Sequence, residues 1–357
     1  MALTTARTGL TPQQWDDKFF MEYVRENRFK RYMGTDENSI IQLKEDLTKK
    51  KGDKVTFAAV NKLTGAGVTG NTTLEGNEEE LDTRSMAVTV APLRHAVAVT
   101  NWDEQKSTIE LRDTAKMALK MWSMEKMKTA IITALGSING VAYADASEAQ
   151  KDAWLVDNSD RVLFGATKSN ASSNDHSTSL ANIDNTSDKL SPAIISLAKR
   201  IAQSASPAIR PIRLNEDEEW FVMFCGPQAF RDLSNDTTMT QANRDARTRG
   251  MDNPLFTGGS LIWDGVIIRE IPEIAAVSNG TIDCNPNYLV GAQALGVAWA
   301  QRTKTTTQVN DYGFHNGVGV QEMRGIEKLL FGSGAGDTDD LKQHGVVTVW
   351  TAGVADT

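Results

Sequence analysis

The sequence predicts an α+β fold, and three features of the chain carry that prediction. Residues 54–100 contain runs of β-branched and apolar residues that are typical of strands. Residues 103–135 show a long apolar pattern with helical spacing. From residue 191 onward, helical and strand patterns alternate along the chain, which indicates an α+β body.

Residues 1–53 are predicted to form a partly exposed N-terminal arm. Aromatic side chains recur there at helical spacing before any recognisable core element, and they are Trp15, Phe19, Phe20 and Tyr23. An aromatic arm of this kind usually docks on its own domain or on a neighbour. These four residues are therefore candidate contacts between subunits.

Residues 54–100 are predicted to form an extended hairpin loop. We expect strands at 55–60, 86–90 and 96–99. The stretch 63–80 between the first two strands is rich in glycine and acid and poor in core-forming residues. It supplies further candidate contacts between subunits, which are Gly65, Gly67, Gly70, Glu78, Glu79 and Glu80.

The strongest helical pattern covers 103–135, with Asn101 or Asp103 as its cap and Gly136 as its stop. At about 1.5 Å per residue, this helix would be roughly 50 Å long. Two adjacent apolar stripes are predicted, one of Leu111, Ala115, Ala118 and Trp122, the other of Met117, Met121, Met124, Ile131 and Leu135. The opposite, polar face would carry Lys116, Lys120, Lys126 and Lys128.

Residues 137–190 are polar and lack apolar periodicity, so we expect a neighbouring subunit or an underlying sheet to hold them in place. An amphipathic helix is then predicted from Pro192. A short helix is expected through Phe230 and Leu233. Strands are predicted at 220–225, 265–271, 288–290, 295–300 and 346–350.

Composition excludes several classes of protein. The 357 residues include 38 basic and 46 acidic side chains, a formal charge of −8, which excludes a whole-protein basic field for gripping nucleic acid. Two cysteines, Cys225 and Cys284, cannot form a disulfide framework and indicate a reducing compartment. Neither a membrane-spanning apolar run nor an apolar signal core is present in the sequence.

Motifs that carry chemistry are weak. Residues 65–70 match G-x-G-x-x-G, but the residues that follow do not begin a helix, and Glu78–Glu80 would repel a phosphate. The four histidines and two cysteines show no metal-ligand spacing. We therefore predict no catalytic residue, cofactor or metal. A last cluster, Arg244, Arg247 and Arg249, is interpreted either as a solvated face or as a contact for the acidic segment Glu78–Glu80 of another subunit.

In this order, the segments resemble a major capsid protein of tailed bacteriophages, within the N-four-like podovirus family and its Hong-Kong-97-type fold. The resemblance lies in short stretches spread along almost the whole chain, which are NSIIQ at 38–42, GD at 52–53, LTGAGVTG at 63–70, LEGNEE at 74–79, RH at 94–95, NPLF at 253–256 and GVVTV at 345–349. Residues 140–190 show no such match.

The resemblance implies five parts: an arm (1–53), an extended hairpin loop (54–100), a spine helix with a peripheral domain (101–190), an axial domain (about 191–320) and a C-terminal return to the peripheral domain (321–357). It also implies a protein that assembles with itself into pentamers and hexamers of an icosahedral head around double-stranded DNA. Expected partners are a separate scaffolding protein, a portal, a decoration protein and weakly held DNA, with no membrane. The protein would be assembled in the host cytoplasm and reside in the virion.

Two alternatives stay open from the sequence. An encapsulin-like cellular compartment would use the same fold to hold cargo enzymes instead of a genome. A nucleotide-dependent enzyme would use residues 65–70 to bind phosphate, although this is the weaker alternative.

Overall fold

The computed structural model describes residues 27–45, 47, 52–60, 62–63, 65–71, 73–81, 83–213, 218–245, 260–333 and 336–353. Helices and sheets both occur in these ranges, which confirms the α+β prediction. The chain divides into two compact units. The larger is drawn from Arg28–Ala91, Lys128–Ala300 and Arg324–Thr357, and the smaller includes Pro92–Met127 and Gln301–Met323.

The described residues form helices and strands in the following chain order. The α-helices are α1 (Asn101–Lys106), α2 (Leu111–Gly136), α3 (Glu148–Asn158), α4 (His176–Ala181), α5 (Pro192–Ser204), α6 (Pro227–Asn235) and α7 (Thr237–Asp245). The strands are β1 (Met33–Gly34), β2 (Ile41–Lys44), β3 (Lys54–Val60), β4 (Thr83–Thr89), β5 (Ala91–Thr100), β6 (Val162–Phe164), β7 (Ile212–Arg213), β8 (Glu219–Cys225), β9 (Ser260–Trp263), β10 (Val266–Glu270), β11 (Val277–Ser278), β12 (Asp283–Val290), β13 (Leu295–Asn310), β14 (His315–Lys328), β15 (Leu330–Ser333), β16 (Asp339–Gln343) and β17 (Val346–Gly353).

A mixed sheet in the order β6–β17–β12–β8–β10–β9 forms the core of the larger unit, with β7 and β11 paired at its sides. Strand β17 is antiparallel to β12 from Asp283↔Gly353 to Val290↔Val346 and parallel to β6. Because side chains alternate along a strand, β17 serves two cores. Val347 and Val349 pack with α5 and α6, whereas Trp350 packs with residues of α3.

The sequence predicted the central strands of this sheet and the two helices packed on it. Strands β8, β10 and β17 and helices α5 and α6 occupy the predicted segments, β12 begins before its predicted segment, and most of their apolar residues are buried. Strand β13 begins at the predicted position but continues to Asn310, well past residue 300. Residues 321–357 and 191–320 are predicted to belong to separate domains, yet β17 shares a sheet with β8, β10 and β12. The assignment of axial and peripheral domains stays a prediction.

The prediction of one continuous helix over 103–135 is wrong, because the chain forms two helices with a break at 107–110. Thr100, and neither Asn101 nor Asp103, caps α1, with its hydroxyl accepting a hydrogen bond from the amide of Asp103. Ser107 ends α1, and its hydroxyl accepts from the amide of Ile109 (3.1 Å). A serine hydroxyl that bonds the local backbone competes with the helix there. Helix α2 ends at Gly136, as predicted.

The predicted faces of the long helix are partly wrong. Met117 and Met124, assigned to a buried stripe, are 55% and 37% exposed. Lys128, assigned to the polar face, is buried, and its ammonium lies 2.7 Å from a carboxylate oxygen of Glu273. Lys128 can be buried because Glu273, 145 residues away, forms an ion pair with it. Helical periodicity does not reveal a partner so distant in the sequence.

In the smaller unit, the outer parts of β13 and β14 and most of β5 form a sheet in the order β13–β14–β5. Leu119 of α2 packs against Val97, Val318 and Val320. The buried carboxylate of Glu322 accepts hydrogen bonds from the hydroxyls of Ser123 (3.2 Å) and Thr303 (2.8 Å). These contacts join α2 to both β13 and β14.

The polar stretch 137–190 is held by the chain's own sheet, through the pairing of β6 with β17. Buried Asp188 accepts hydrogen bonds from the amides of Ala166 (2.7 Å) and Asp184 (2.9 Å). His176 is buried against aromatic rings that include Phe164 and Trp350. Helices α3 and α4 were not predicted, although the capping box formed by Ser147 and Gln150 was a usable signal for the start of α3.

Lys328 offers a test of this core. Its side chain is buried, and burial lowers the pKa of its ammonium to about 7. The unfolded chain therefore binds more protons than the native one between about pH 7 and the ordinary pKa of lysine, so stability rises with pH across this window. We expect Lys328→Met to increase the free energy of unfolding by about 1–4 kcal/mol at pH 6 and by less at pH 10.

Urea denaturation of unassembled subunits at the two pH values measures this effect. Lys168→Met, at an exposed position, is the matched control and should change stability little at either pH. A loss of stability in Lys328→Met at pH 6 would contradict the burial argument.

Candidate assembly site

The base of the predicted hairpin is a regular antiparallel ladder. Strands β3 and β4 pair from Lys54↔Thr89 to Val60↔Thr83. Alternate side chains on one face are buried in a cluster that consists of Val55, Phe57, Val88, Ala298, Leu329 and Phe331. The hairpin is therefore attached to the larger unit by the apolar face of its base.

The body approaches this base closely at Gly296. A Cβ atom at this position would lie 2.9 Å from Cζ of Phe57 and 3.0 Å from Cδ2 of Leu329. A side chain there would push Phe57 out of its place. The glycine therefore permits the ring to pack directly on the backbone of β13.

Polar contacts fix the two edges of the base. The ammonium of Lys44 donates to the carbonyl of Thr56 (2.9 Å) and lies 4.5 Å from the centre of the Phe57 ring. The amide and hydroxyl of Ser85 both donate to Asp337, at 2.7 and 3.0 Å. The base is thus held by β2 on one side and by the turn between β15 and β16 on the other.

The structure ends the hairpin earlier than predicted. The ladder stops at Thr89, and β5, which the prediction of 54–100 included, lies beside β14 in another sheet. Periodicity finds a strand but not its partner, so residues 91–100 look like a third strand of the hairpin in the sequence.

Beyond Val60 and Thr83, glycines and carboxylates shape the loop. The amide of Gly65 donates to Glu79 (2.7 Å), and that of Gly76 donates to Glu78 (2.7 Å). Gly67, Gly70 and Gly76 have φ angles of 69°, 70° and 85°. L-residues with side chains rarely adopt such angles, so these glycines permit the turns.

This geometry argues against phosphate binding by residues 65–70. No helix begins in the described residues between Gly65 and Leu81, so no helix N-terminus is aimed at the loop. A carboxylate of Glu79 already accepts from the first glycine amide of the motif. The geometry of residues 65–70 therefore does not support the alternative of a nucleotide-dependent enzyme.

The loop carries apolar side chains that the larger unit does not cover. Leu63, Leu74 and Leu81 are 59%, 63% and 58% exposed. A cleft of about 940 Å³ lies below the hairpin and is lined by Leu63, Arg84, Ala205, Phe331, Lys342 and His344, among others. Of the three exposed leucines, Leu63 lines this cleft.

The other predicted contact residues are distributed as follows. Glu78, Glu79 and Glu80 lie on the exposed loop. Arg244 is on α7, whereas Arg247 and Arg249 lie outside the described residues. The aromatic residues of the arm also lie outside the described residues, and they are Trp15, Phe19, Phe20 and Tyr23. The pairing of these arginines with the acidic segment of another copy stays a prediction.

Two features were missed by sequence reasoning. Exposed aromatic side chains lie in the smaller unit at Trp102, Tyr312 and Phe314. Oxygens of Glu148, Asp152 and Asp175 lie within 4.8 Å of one another, a grouping that spacing did not indicate. Asp152 accepts from the amide of His176 and Asp175 caps α4, so both carboxylates have local structural roles.

Among the described residues, no helix is both long and apolar enough to cross a membrane. Both cysteines are free and buried. Burial raises the pKa of each thiol, that of Cys284 to about 12. Neither sulfur is therefore available as a thiolate near neutral pH.

An exposed loop with apolar side chains, attached to a folded body, is typical of subunits that bury such side chains against other subunits of an assembly. The model of the phage capsid protein family matches residues 4–355, and the chain belongs to this family. It acts as a structural protein of the virion, the major capsid protein of a tailed phage, with the Hong-Kong-97-like fold.

Individual relatives agree with this family. The major capsid protein of Pseudomonas phage KPP25 is 28% identical over 362 residues, covering 95% of this chain and 94% of that protein. The capsid of cyanophage Pam1 has a chain that is 37% identical, with full coverage of both chains and a TM-score of 0.88. The capsid of Ralstonia phage GP4 shares the fold at 21% identity, with full coverage and a TM-score of 0.76. These are phage proteins, which disfavours the encapsulin-like alternative.

The attachment of the hairpin can be tested at Phe57. Phe57→Ala should destabilise the packed base by about 3–5 kcal/mol, because it removes a buried ring and leaves a cavity against Gly296 and Leu329. Hydrogen exchange of the β3 and β4 amides in unassembled subunits would measure the loss. Thr56→Ala, on the exposed face of the same strand, should stay within about 0.5 kcal/mol of the parent. Equal exchange rates in both variants would contradict the packing described.

Proposed function

We propose that this capsid protein builds pentamers and hexamers of an icosahedral head and that its hairpin loop lies over the adjacent subunit. The observation that carries the proposal is the loop between Val60 and Thr83, where three leucines stay exposed. In a soluble monomer, such side chains would lie in water at a cost in free energy. Burial of each leucine contributes about 1.5–3 kcal/mol. An interface in which a neighbouring copy covers these side chains is therefore stabilised.

A ring of identical subunits supports this use of the loop. Subunits in a ring meet head to tail, so one patch must fit a different patch on the next copy. Permanent interfaces of this kind commonly bury about 2,000–5,000 Å² in total. A loop held away from the body adds contact area without enlarging the core.

The glycines supply the adaptability that two kinds of ring require. Pentamers and hexamers differ in curvature, so the same loop must reach its neighbour at two angles. Gly67, Gly70 and Gly76 already adopt positive φ angles, where glycine is free to vary. The ladder of β3 and β4 stays rigid while the loop adjusts.

The proposal extends to the predicted parts and contacts. The predicted arm (1–53) would reach a neighbour with the part that carries Trp15, Phe19, Phe20 and Tyr23. Its later part is a correction to the prediction, because Phe29, Ile40 and Ile41 are buried in the chain's own larger unit, where β2 pairs with β13. The arginines Arg244, Arg247 and Arg249 are one candidate surface on another copy for the acidic segment Glu78–Glu80. Residues 101–190 and 321–357 would contribute to the peripheral domain and residues 191–320 to the axial domain, with the hairpin ending at Thr89 instead of residue 100.

Partners beyond the protein itself follow from the role of a head protein. A scaffolding protein, a portal and a decoration protein would take part in assembly, in the host cytoplasm. The formal charge of −8 favours weak, non-specific contact with packaged double-stranded DNA. The function requires no catalysis, cofactor or metal. Electron microscopy of purified particles would separate DNA-filled, tailed heads from empty compartments.

Replacing Leu63, Leu74 and Leu81 by serine tests the role of the loop. The unassembled subunit should keep its circular dichroism spectrum and its unfolding midpoint, because these side chains are exposed in the monomer. Assembly should fall strongly, because the apolar area that a neighbour covers is lost. Sedimentation of expressed protein measures the fraction in shells.

The matched control is Val156→Ser, which removes an equally exposed apolar side chain from α3. It should assemble like the parent. Normal shells from the triple serine variant would refute the assembly role of the loop.

A further inference from the structure

The outer half of β13 has a long edge that no strand of the described residues covers. Every residue from Arg302 to Asn310 is exposed, and the strand has β14 as its neighbour on one side. On its other side, β2 pairs with Leu295–Ala298 and goes no further. Among the described residues, no strand covers the second edge of 302–310.

This edge is suited to bind another strand. It contains four threonines and a valine, no proline and no glycine, a composition that favours extended backbone. Exposed edges of this length are usually shortened, bulged or covered, because their free N–H and C=O groups pair with other chains. An assembly protein that retains such an edge presents a site for β-strand addition.

The positive charges on the 302–310 edge determine which kind of strand can bind there. Arg302 and Lys304 share one face of β13, opposite the face from which Thr303 bonds Glu322. Two positive charges disfavour pairing of this edge with the same edge of a second copy. They favour an acidic segment. Lys304 forms no ion pair with any described residue of its own chain.

The hairpin loop carries a segment of matching charge and length. Residues 77–81 have the sequence NEEEL and lie exposed, outside any helix or strand, beyond the end of the β3–β4 ladder. Glu80 has no ion-pair partner among the described residues. Five residues span about 16 Å, which fits within the roughly 30 Å of the nine-residue edge.

We propose that residues 77–81 of one copy add as a strand to the 302–310 edge of a second copy, with Glu80 near Lys304. This inference rests on the proposed function of the loop and names the surface that receives it. Main-chain hydrogen bonds supply the affinity, and the opposite charges exclude pairing between two like edges.

Paired cysteines test the contact in assembled particles. Glu80→Cys combined with Lys304→Cys should give disulfide-linked oligomers on a non-reducing gel after mild oxidation. The two native cysteines are buried and should not react. Glu80→Cys with Lys168→Cys, an exposed lysine elsewhere, is the matched control and should give no such oligomers. Cross-linking of Glu80→Cys to Arg247→Cys instead of Lys304→Cys would overturn the inference.

A charge swap and hydrogen exchange complete the experiment. Glu80→Lys and Lys304→Glu alone should each lower shell yield at low salt by about five-fold, and the double variant should recover most of it. Independently, the amides of 302–310 should exchange more slowly in parent particles than in unassembled subunits. Unchanged exchange there would refute strand addition. If the triple serine variant fails to assemble but residues 80 and 304 do not cross-link, this inference falls while the proposed function stands.

Discussion

The apolar contact between the hairpin base and the larger unit fixes the base in place and leaves the rest of the loop exposed. Val55, Phe57 and Val88 are buried against the body, and at about 1.5–3 kcal/mol each they outweigh the weak polar contacts of the base. The leucines beyond Val60 add little to the stability of the monomer, because they stay mostly exposed. Under the proposed function, folding and assembly therefore depend on different residues of one hairpin, and either set can be changed separately.

Alternation alone located the hairpin base, because Val55 and Phe57 lie two residues apart and share the buried face. The glycine- and glutamate-rich stretch was also visible, since it could not form a core. What the sequence could not show was the partner of β5, which pairs with a strand more than two hundred residues away. The proposed contact surface for the loop on another copy was equally invisible, because a strand edge exists only once the sheet is formed.

Helix α2 illustrates a second limit of sequence reasoning. Its two predicted apolar stripes are adjacent, so together they describe a face wider than the smaller unit covers. Leu119, which neither predicted stripe included, contacts Val318 and Val320, whereas Met117 of the second stripe is 55% exposed. The prediction for Lys128 is wrong in the opposite sense, since this residue was assigned to the exposed face but is buried. Its distant partner Glu273 permits the burial of the charge. Hydropathy indicates whether a side chain can be buried at low cost. Whether it is buried depends on the residues that pack or pair with it in the fold.

The same reasoning explains why so polar a chain can be both a folded body and an assembly component. Residues 137–190 are ordered by short-range bonds such as those to Asp188, and by the pairing of β6 with β17, so their polarity costs little. The loop has glutamates that bond its own glycine amides, which set its shape but bury no apolar surface. Under the proposed function, the exposed leucines of the loop contribute once a second copy is present. Repetition then makes weak contacts sufficient, because a subunit held by several neighbours at once binds far more tightly than any single contact would allow.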